Sequence, residues 1–363
     1  MEAGDELRRG AEALYRMAGF MTRTLILLSG GHPVHRRFGE SVGAISRMLE
    51  EKAAKDQSPP VMAFKLFKGS LSVPSGYDIM LCESCYHYPA IKRRLGLLGD
   101  TKIINMNCGP LPYHLLSSRI KGAEKKVLLD LMKDVDGFLV YGAYGMELLE
   151  RLGVKAPARI IYPFISEASM GRFASVKPAL GSNNITIVAT SDPHNKGLDL
   201  LFLAMKKVSE RYPDARLKIV TRLGEAEIAS VEGYDPARIT ILRDVPDMAE
   251  VFRSCALYVQ PSRGDMFPVS ALEALASGVP NIVSIENGAK DVVAKIDPGM
   301  VVPLDEERIA EAIIAYLDLP IGGKKALSDK SRHAAMFFNE RDMLALFKRQ
   351  FDSLTKEIMQ AGA

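Results

Sequence analysis

Short apolar runs of strand length alternate along this chain with segments whose apolar residues recur every three or four positions. In the first half, Leu25–Leu28, Tyr77–Leu81, Lys102–Met106, Gly137–Tyr141 and Arg159–Tyr162 read as strands. Between them, Phe38, Val42, Ile45 and Leu49 recur at helical spacing, and Val127–Met132 and Met146–Leu152 read as helices. The second half repeats the alternation with six short strands: Ile185–Ala189, Leu217–Val220, Ile239–Leu242, Leu257–Val259, Asn281–Ser284 and Met300–Val302. A last helix over Glu340–Met359 places Met343, Phe347, Phe351 and Leu354 on one face. The pattern predicts an α/β protein in which helices wrap parallel sheets. Two such units in tandem enclose a cleft, and open parallel sheets bind ligands beyond the carboxyl ends of their strands.

Gly171, Pro178 and Gly181 interrupt a stretch of low apolar content, which places the linker within Ser166–Asn184. The domains expected are therefore 21–168 and 183–335, followed by a terminal segment 336–363. Residues 1–20 read as a helical extension, with Leu7, Ala11, Leu14 and Ala18 at the spacing of one helical face. That extension fits a docked helix, a membrane-surface helix, or sequence upstream of a start at Met21.

Composition bounds the class. The 363 residues are 47% hydrophobic and 25% charged, as in a globular protein of two cores. No apolar run reaches the roughly 18 residues of a membrane span, and the first residues lack the apolar core of a secretory signal. Four cysteines make no disulfide framework, so a cytoplasmic protein is expected. The net charge of +3 is uneven: residues 1–165 hold 23 Lys and Arg against 17 Asp and Glu, and the remainder 24 against 27. A basic first half suits phosphate groups or an anionic lipid surface, and equally a solvated face. No basic run interleaves with aromatics, which disfavours nucleic acid.

The most informative stretch is Pro261-Ser-Arg-Gly-Asp-Met-Phe-Pro-Val-Ser-Ala-Leu-Glu-Ala-Leu-Ala-Ser-Gly-Val-Pro280. Pro261 ends a strand and a helix starts near Val269, so Asp265 lies in the loop and Glu273 one turn inside the helix. Backbone N–H groups at the helix start make an anion site, and ionised carboxylates beside it accept hydroxyl hydrogen bonds. That combination describes a receptor for a diphosphate flanked by sugars. Alone, it would equally fit a capping Asp and a surface Glu.

This stretch resembles the acid, seven residues, Glu signature of the retaining glycosyltransferases of family 4, which have the GT-B fold of two Rossmann-like domains. Asp192-Pro-His-Asn-Lys-Gly-Leu-Asp199 is similar to the family's Lys-Gly loop, and Gly30-Gly31 to its turn after the first strand. Arg159–Ile165, Asp291–Val293, Gly299–Pro303 and Phe338–Glu340 resemble further family segments, the last beginning a helix that crosses back to the first domain. The resemblance implies transfer of a sugar from a nucleotide-diphosphate sugar to an acceptor hydroxyl with retention, no obligatory metal and no cofactor. The acceptor would be a sugar, polysaccharide or lipid-linked group, with peripheral membrane contact as an option. It implies Glu273 on the ribose, Asp265 at the donor sugar and Lys196 on the diphosphate, these last two being the catalytic pair. It further implies the backbones of Met266, Phe267 and Val269 against sugar and phosphate, and Gly30 and Gly31 approaching the phosphates from the first domain.

Four positions depart from the family pattern. Asp265 stands for a Glu, and Met266 for a Gly, which would narrow the pocket. Ser191 stands for an Arg, which Arg263 or Arg222 would replace, and Asn107 sits about where the family has a His, with His114 further along. The alternatives these departures motivate are a degenerate nucleotide-sugar-binding protein and a nucleotide-sugar epimerase. Among other candidates, Glu83 would contact an acceptor hydroxyl, and His32 and His35 are helix-start residues or phosphate ligands. Cys82-Glu-Ser-Cys85 with His87 has metal or redox spacing but no second pair, with Cys108 and His114 the residues that could converge on it. Lys92-Arg-Arg94 and Lys125-Lys126 read as solvated faces or membrane-phosphate contacts.

Overall fold

The computed structural model describes residues 22–49, 59–117 and 119–361; the helix expected within residues 1–20 lies outside them. Strands β1 (Thr24–Leu28), β2 (Ile45–Met48), β3 (Ile79–Glu83), β4 (Lys102–Asn107), β5 (Gly137–Tyr141) and β6 (Ala158–Ile161) form one sheet, ordered β2-β1-β3-β4-β5-β6. Strands β7 (Asn184–Val188), β8 (Arg216–Val220), β9 (Ile239–Leu242), β10 (Leu257–Gln260), β11 (Asn281–Ser284) and β12 (Val301–Val302) form the other, ordered β12-β11-β10-β7-β8-β9. Every pairing is parallel, for example Leu25 with Met80 and Leu257 with Ile185. β1, β3 and β5 are buried at each position because helices cover both faces, which is why these strands read as continuous apolar runs.

Two elements differ from the sequence expectation. The helical spacing across Phe38–Leu49 divides into a helix, Pro33–Ser41, and the edge strand β2. Gly43 takes φ +67°, a left-handed conformation that stops the helix, and the chain then pairs with the open side of β1. The second difference is in the linker. Ser166 accepts a hydrogen bond from the Ser169 N–H and starts the helix Glu167–Ala174, whose Phe173 packs edge-on against Phe252 of the second lobe.

The final helix, Glu340–Gln360, returns to the first lobe. Phe347 stacks on Phe38 at 4.3 Å, and a Cβ on Gly137 of β5 would come within 3.0 Å of Leu354. The Ile165 N–H donates to the Phe338 carbonyl beside this crossing.

Strand order locates the ligand sites. In each sheet the chain builds outward in one direction and then restarts on the other side of its first strand. The reversals fall between β1 and β3 and between β7 and β10. The loops leaving these strands diverge and leave a crevice. Ser29–Gly31 and Glu83–Ser84 lead out of the first switch point, and the Lys196 and Asp265 loops out of the second.

Candidate active site at the two switch points

In the second lobe β10 ends at Gln260, and the helix Val269–Ala276 begins after Pro268, as its Pro-containing loop dictates. Asp265 is no cap for that helix. Its carboxylate Oδ2 accepts from Lys196 Nζ at 2.6 Å and from Gln260 Nε2 at 3.1 Å. Both side chains of the ion pair are mostly buried. Gly197 makes the approach possible: its φ is +72°, and a Cβ there would lie 2.1 Å from the Pro261 carbonyl oxygen. The Lys-Gly loop and the Asp265 loop are thus packed backbone to backbone, a geometry only glycine permits.

Glu273 sits one turn into the helix with no ion-pair partner within 4 Å among the described residues. Burial raises its pKa to about 7, against a smaller opposing effect of Arg172. A carboxyl held in this state gains by meeting hydroxyl donors.

Arg263 does not face the cleft as a spare cation. Its guanidinium makes two 2.8 Å hydrogen bonds to Asp199 and one to the His194 carbonyl, locking the Lys-Gly loop. Burial would raise the Asp199 pKa, but this bidentate pair outweighs it and holds the carboxyl below its ordinary range. Ser191 is exposed at the start of the same loop. Met266 does not narrow the pocket with its side chain, which is buried in the core. Phe267 is buried too and meets Tyr162 and Phe338 edge-on or tilted. With both side chains buried, what Met266 and Phe267 could present to the cleft is backbone.

The first lobe joins residues that the sequence treats separately. Glu83, at the end of β3, accepts on Oε2 from the N–H groups of Ser29 at 2.7 Å, Gly30 at 3.0 Å and Gly31 at 3.4 Å. The Gly-Gly turn therefore already cradles an anion, the protein's own carboxylate. Its other oxygen pairs with His35 Nδ1. Burial alone would lower the His35 pKa, but Cys108 and Glu83 outweigh it and push it up to about 10. His32 moves the other way, to about 4, through burial and then the neighbouring His35 charge. Glu83 stays below its ordinary value despite burial, because of His35 and the Gly30 and Ser29 N–H groups.

Asn107 is buried and accepts from Asn105. His114 instead reaches across the cleft, its Nε2 3.0 Å from Asn195 Oδ1, and burial lowers its pKa. Tyr144 of the first lobe donates to Glu286 Oε2 at 2.7 Å, and Lys290 pairs with Glu147 at 2.9 Å. Sequence patterns do not single out Gln260, Glu286 or Tyr144; they lie on a strand end, a late loop and a helix that only folding brings to the cleft.

Three basic residues change role. Lys92 donates to the Val73 carbonyl, Arg93 bonds Asp136 at 2.6 Å, and Arg94 bonds Asp130 at 2.6 Å. Their partners lie within the protein, so this run is no free phosphate surface. Cys82 and Cys85 are buried among apolar side chains of the first lobe, and neither joins the one cluster of metal-type ligands among the described residues.

Two parallel-sheet lobes with switch points facing one cleft, and a helix returning from the second to the first, define a GT-B protein. Residues 182–318, the second lobe, match the family described as glycosyl transferases group 1. A phosphatidyl-myo-inositol mannosyltransferase of Mycolicibacterium smegmatis is 31% identical over 131 residues, 35% of this chain and 34% of that protein. A D-inositol 3-phosphate glycosyltransferase of Catenulispora acidiphila is 32% identical over 126 residues, 34% of this chain and 28% of that protein. These alignments span about a third of each relative's length. Among solved structures, a sucrose-phosphate synthase from Thermosynechococcus elongatus superposes with a TM-score of 0.70 at 17% identity, covering 93% of this chain and all of that one. The Anabaena protein HepE, crystallised with UDP and glucose, gives 0.63 at 13% identity, over 92% of this chain and all of that one.

Proposed function

We propose that this chain is a retaining glycosyltransferase that moves a hexose from a nucleotide-diphosphate sugar to an acceptor hydroxyl. One observation carries the reading: Asp265 and Glu273 flank the N-terminus of the helix Val269–Ala276 at the second switch point, with Lys196 on Asp265. The spacing suits one ligand, with ribose hydroxyls on Glu273, diphosphate at the helix start and sugar at Asp265. An ammonium has three donors, so Lys196 can keep Asp265 and still meet a phosphate oxygen. Negative charge grows on the departing diphosphate, and a preplaced cation with the helix N–H groups stabilises it without reorganisation. Asp265, its charge balanced by Lys196, stands where positive character develops on the sugar. The chemistry needs neither metal nor cofactor at the diphosphate.

The first lobe would hold the acceptor. Two of the matched relatives are named for inositol-containing acceptors, which favours a polyol headgroup or a related sugar. Membrane contact is supported by the helix Pro59–Ser72, which exposes Val61, Phe64, Phe67 and Leu71 together with Lys65 and Lys68. Apolar side chains among lysines suit the boundary of an anionic bilayer. No helix among the described residues is long and apolar enough to cross one. A thermal-shift screen of nucleotide sugars, followed by proton NMR of the product with inositol-type acceptors, tests the reading. Stabilisation by one donor and a product of unchanged anomeric configuration are expected; stabilisation by none would overturn it.

A further inference from the structure

We propose that His35, Glu83 and Cys108 form a binding site in the first lobe for a borderline-soft divalent transition metal, of which zinc is the type. The inference is independent of the observation that carries the transferase reading, Asp265 and Glu273 beside the helix Val269–Ala276 of the second lobe. Three separate segments supply the ligands: the helix Pro33–Ser41, the end of β3 and the residue after β4. Their ligand atoms all lie within 4.8 Å of one another, and His35 and Glu83 are buried. Imidazole nitrogen, carboxylate oxygen and thiolate sulfur are the three donor types zinc accepts, and a hard cation such as magnesium would not select the sulfur.

The surroundings are those of a built site. Glu83 divides its oxygens: Oε2 is anchored by the Ser29, Gly30 and Gly31 N–H groups, which leaves Oε1 turned toward His35. Outer hydrogen bonds of this kind fix a ligand's orientation before the metal arrives. A second observation points to a further ligand. The Tyr141 hydroxyl is buried with no hydrogen-bond partner among the described residues, and its ring lies 6.0 Å from that of His35. A buried hydroxyl left without a partner is costly. Three protein ligands leave a fourth position for water, and Tyr141 is placed to donate to it. The metal would clamp the Gly-Gly turn against the ends of β3 and β4, fixing the first-lobe wall of the cleft.

The purified full chain is incubated with zinc, passed through a desalting column and its metal content measured; cobalt(II) loading is followed by absorption. About one equivalent of zinc and a thiolate-to-cobalt charge-transfer band are expected. Cys108→Ser should abolish the band and weaken zinc at least about tenfold, and His35→Gln should weaken zinc similarly, both with unchanged circular dichroism. Tyr141→Phe should retain the band and bind more weakly. A wild-type chain that holds no stoichiometric zinc overturns the proposal, and so does a Cys108→Ser variant with an unchanged cobalt spectrum. If Cys108→Ser fails to fold, His35→Gln decides by the zinc measurement alone. None of these readouts involves a sugar donor, so failure here leaves the transferase reading standing.

Discussion

Lys196 Nζ lies 2.6 Å from Asp265 Oδ2, joining two loops that leave β7 and β10 on either side of the second switch point. The pair makes each residue's removal expose the other. Lys196→Ala leaves a mostly buried carboxylate without its cation, and Asp265→Ala the reverse. Asp265→Asn is the cleaner change because it preserves shape. Turnover is expected to fall at least about a hundredfold, roughly 2.7 kcal/mol, with donor affinity changed little. Steady-state kinetics check this, and a fully active Asn variant would reduce Asp265 to a loop residue.

Lys196→Ala should depress turnover with the full donor far more than it weakens binding of the free nucleoside, because the proposed reading sets the cation on the diphosphate. The double variant with Asp265→Asn should lose less than the sum of the two, since residues in contact couple. Strict additivity would place the two side chains on separate tasks.

Glu273, its pKa pushed to about 7, supplies a pH test. If ribose hydroxyls bond Glu273, as proposed, they stabilise its carboxylate, so nucleotide-sugar binding should release a proton near pH 6.5 and tighten as pH rises toward 8. Calorimetry in two buffers of different ionisation enthalpy measures the proton; buffer-independent heats would remove Glu273 from the ribose. The same burial gives a stability sign. The folded chain keeps a proton that the unfolded chain has lost, so the residue's cost grows from the ordinary carboxylate range up to about pH 7. Glu273→Gln should therefore raise the melting temperature at pH 8 and leave it nearly unchanged at pH 5.

The returning helix is a stability element. Phe347 is fully buried and stacked on Phe38, so Phe347→Ala should cost about 3–5 kcal/mol in denaturant unfolding. A loss below about 1 kcal/mol would mean that the helix docks only weakly.

Membrane contact through the helix Pro59–Ser72 predicts co-sedimentation with anionic vesicles at low salt. Release should follow as salt shortens the Debye length to about 10 Å near 0.1 M. Phe64→Ser with Phe67→Ser should weaken binding that Lys65→Gln alone reduces only in part. Vesicle binding unchanged by the double Ser variant would move the contact elsewhere.

Strand and helix periodicity determined most of the architecture, because buried parallel strands must be continuously apolar and their covering helices amphipathic. The signature from Pro261 to Pro280 was readable for a similar reason: a strand end, a loop acid and a helix start are local events. Where local information was ambiguous, tertiary contacts decided. Spacing at Phe38–Leu49 fits a helix, but Gly43 and the open edge of β1 made its second part a strand. Arg263 carries the same charge wherever it points; only packing gave it to Asp199 rather than the cleft. Lys92, Arg93 and Arg94 look like a surface cluster until the Val73 carbonyl, Asp136 and Asp130 are folded against them. Glu83 and Cys108 lie tens of residues from the Gly30–Gly31 turn and the nearby His35, and nothing in that spacing joins them. They meet because parallel strands restart at a switch point, which brings the ends of β1, β3 and β4 side by side.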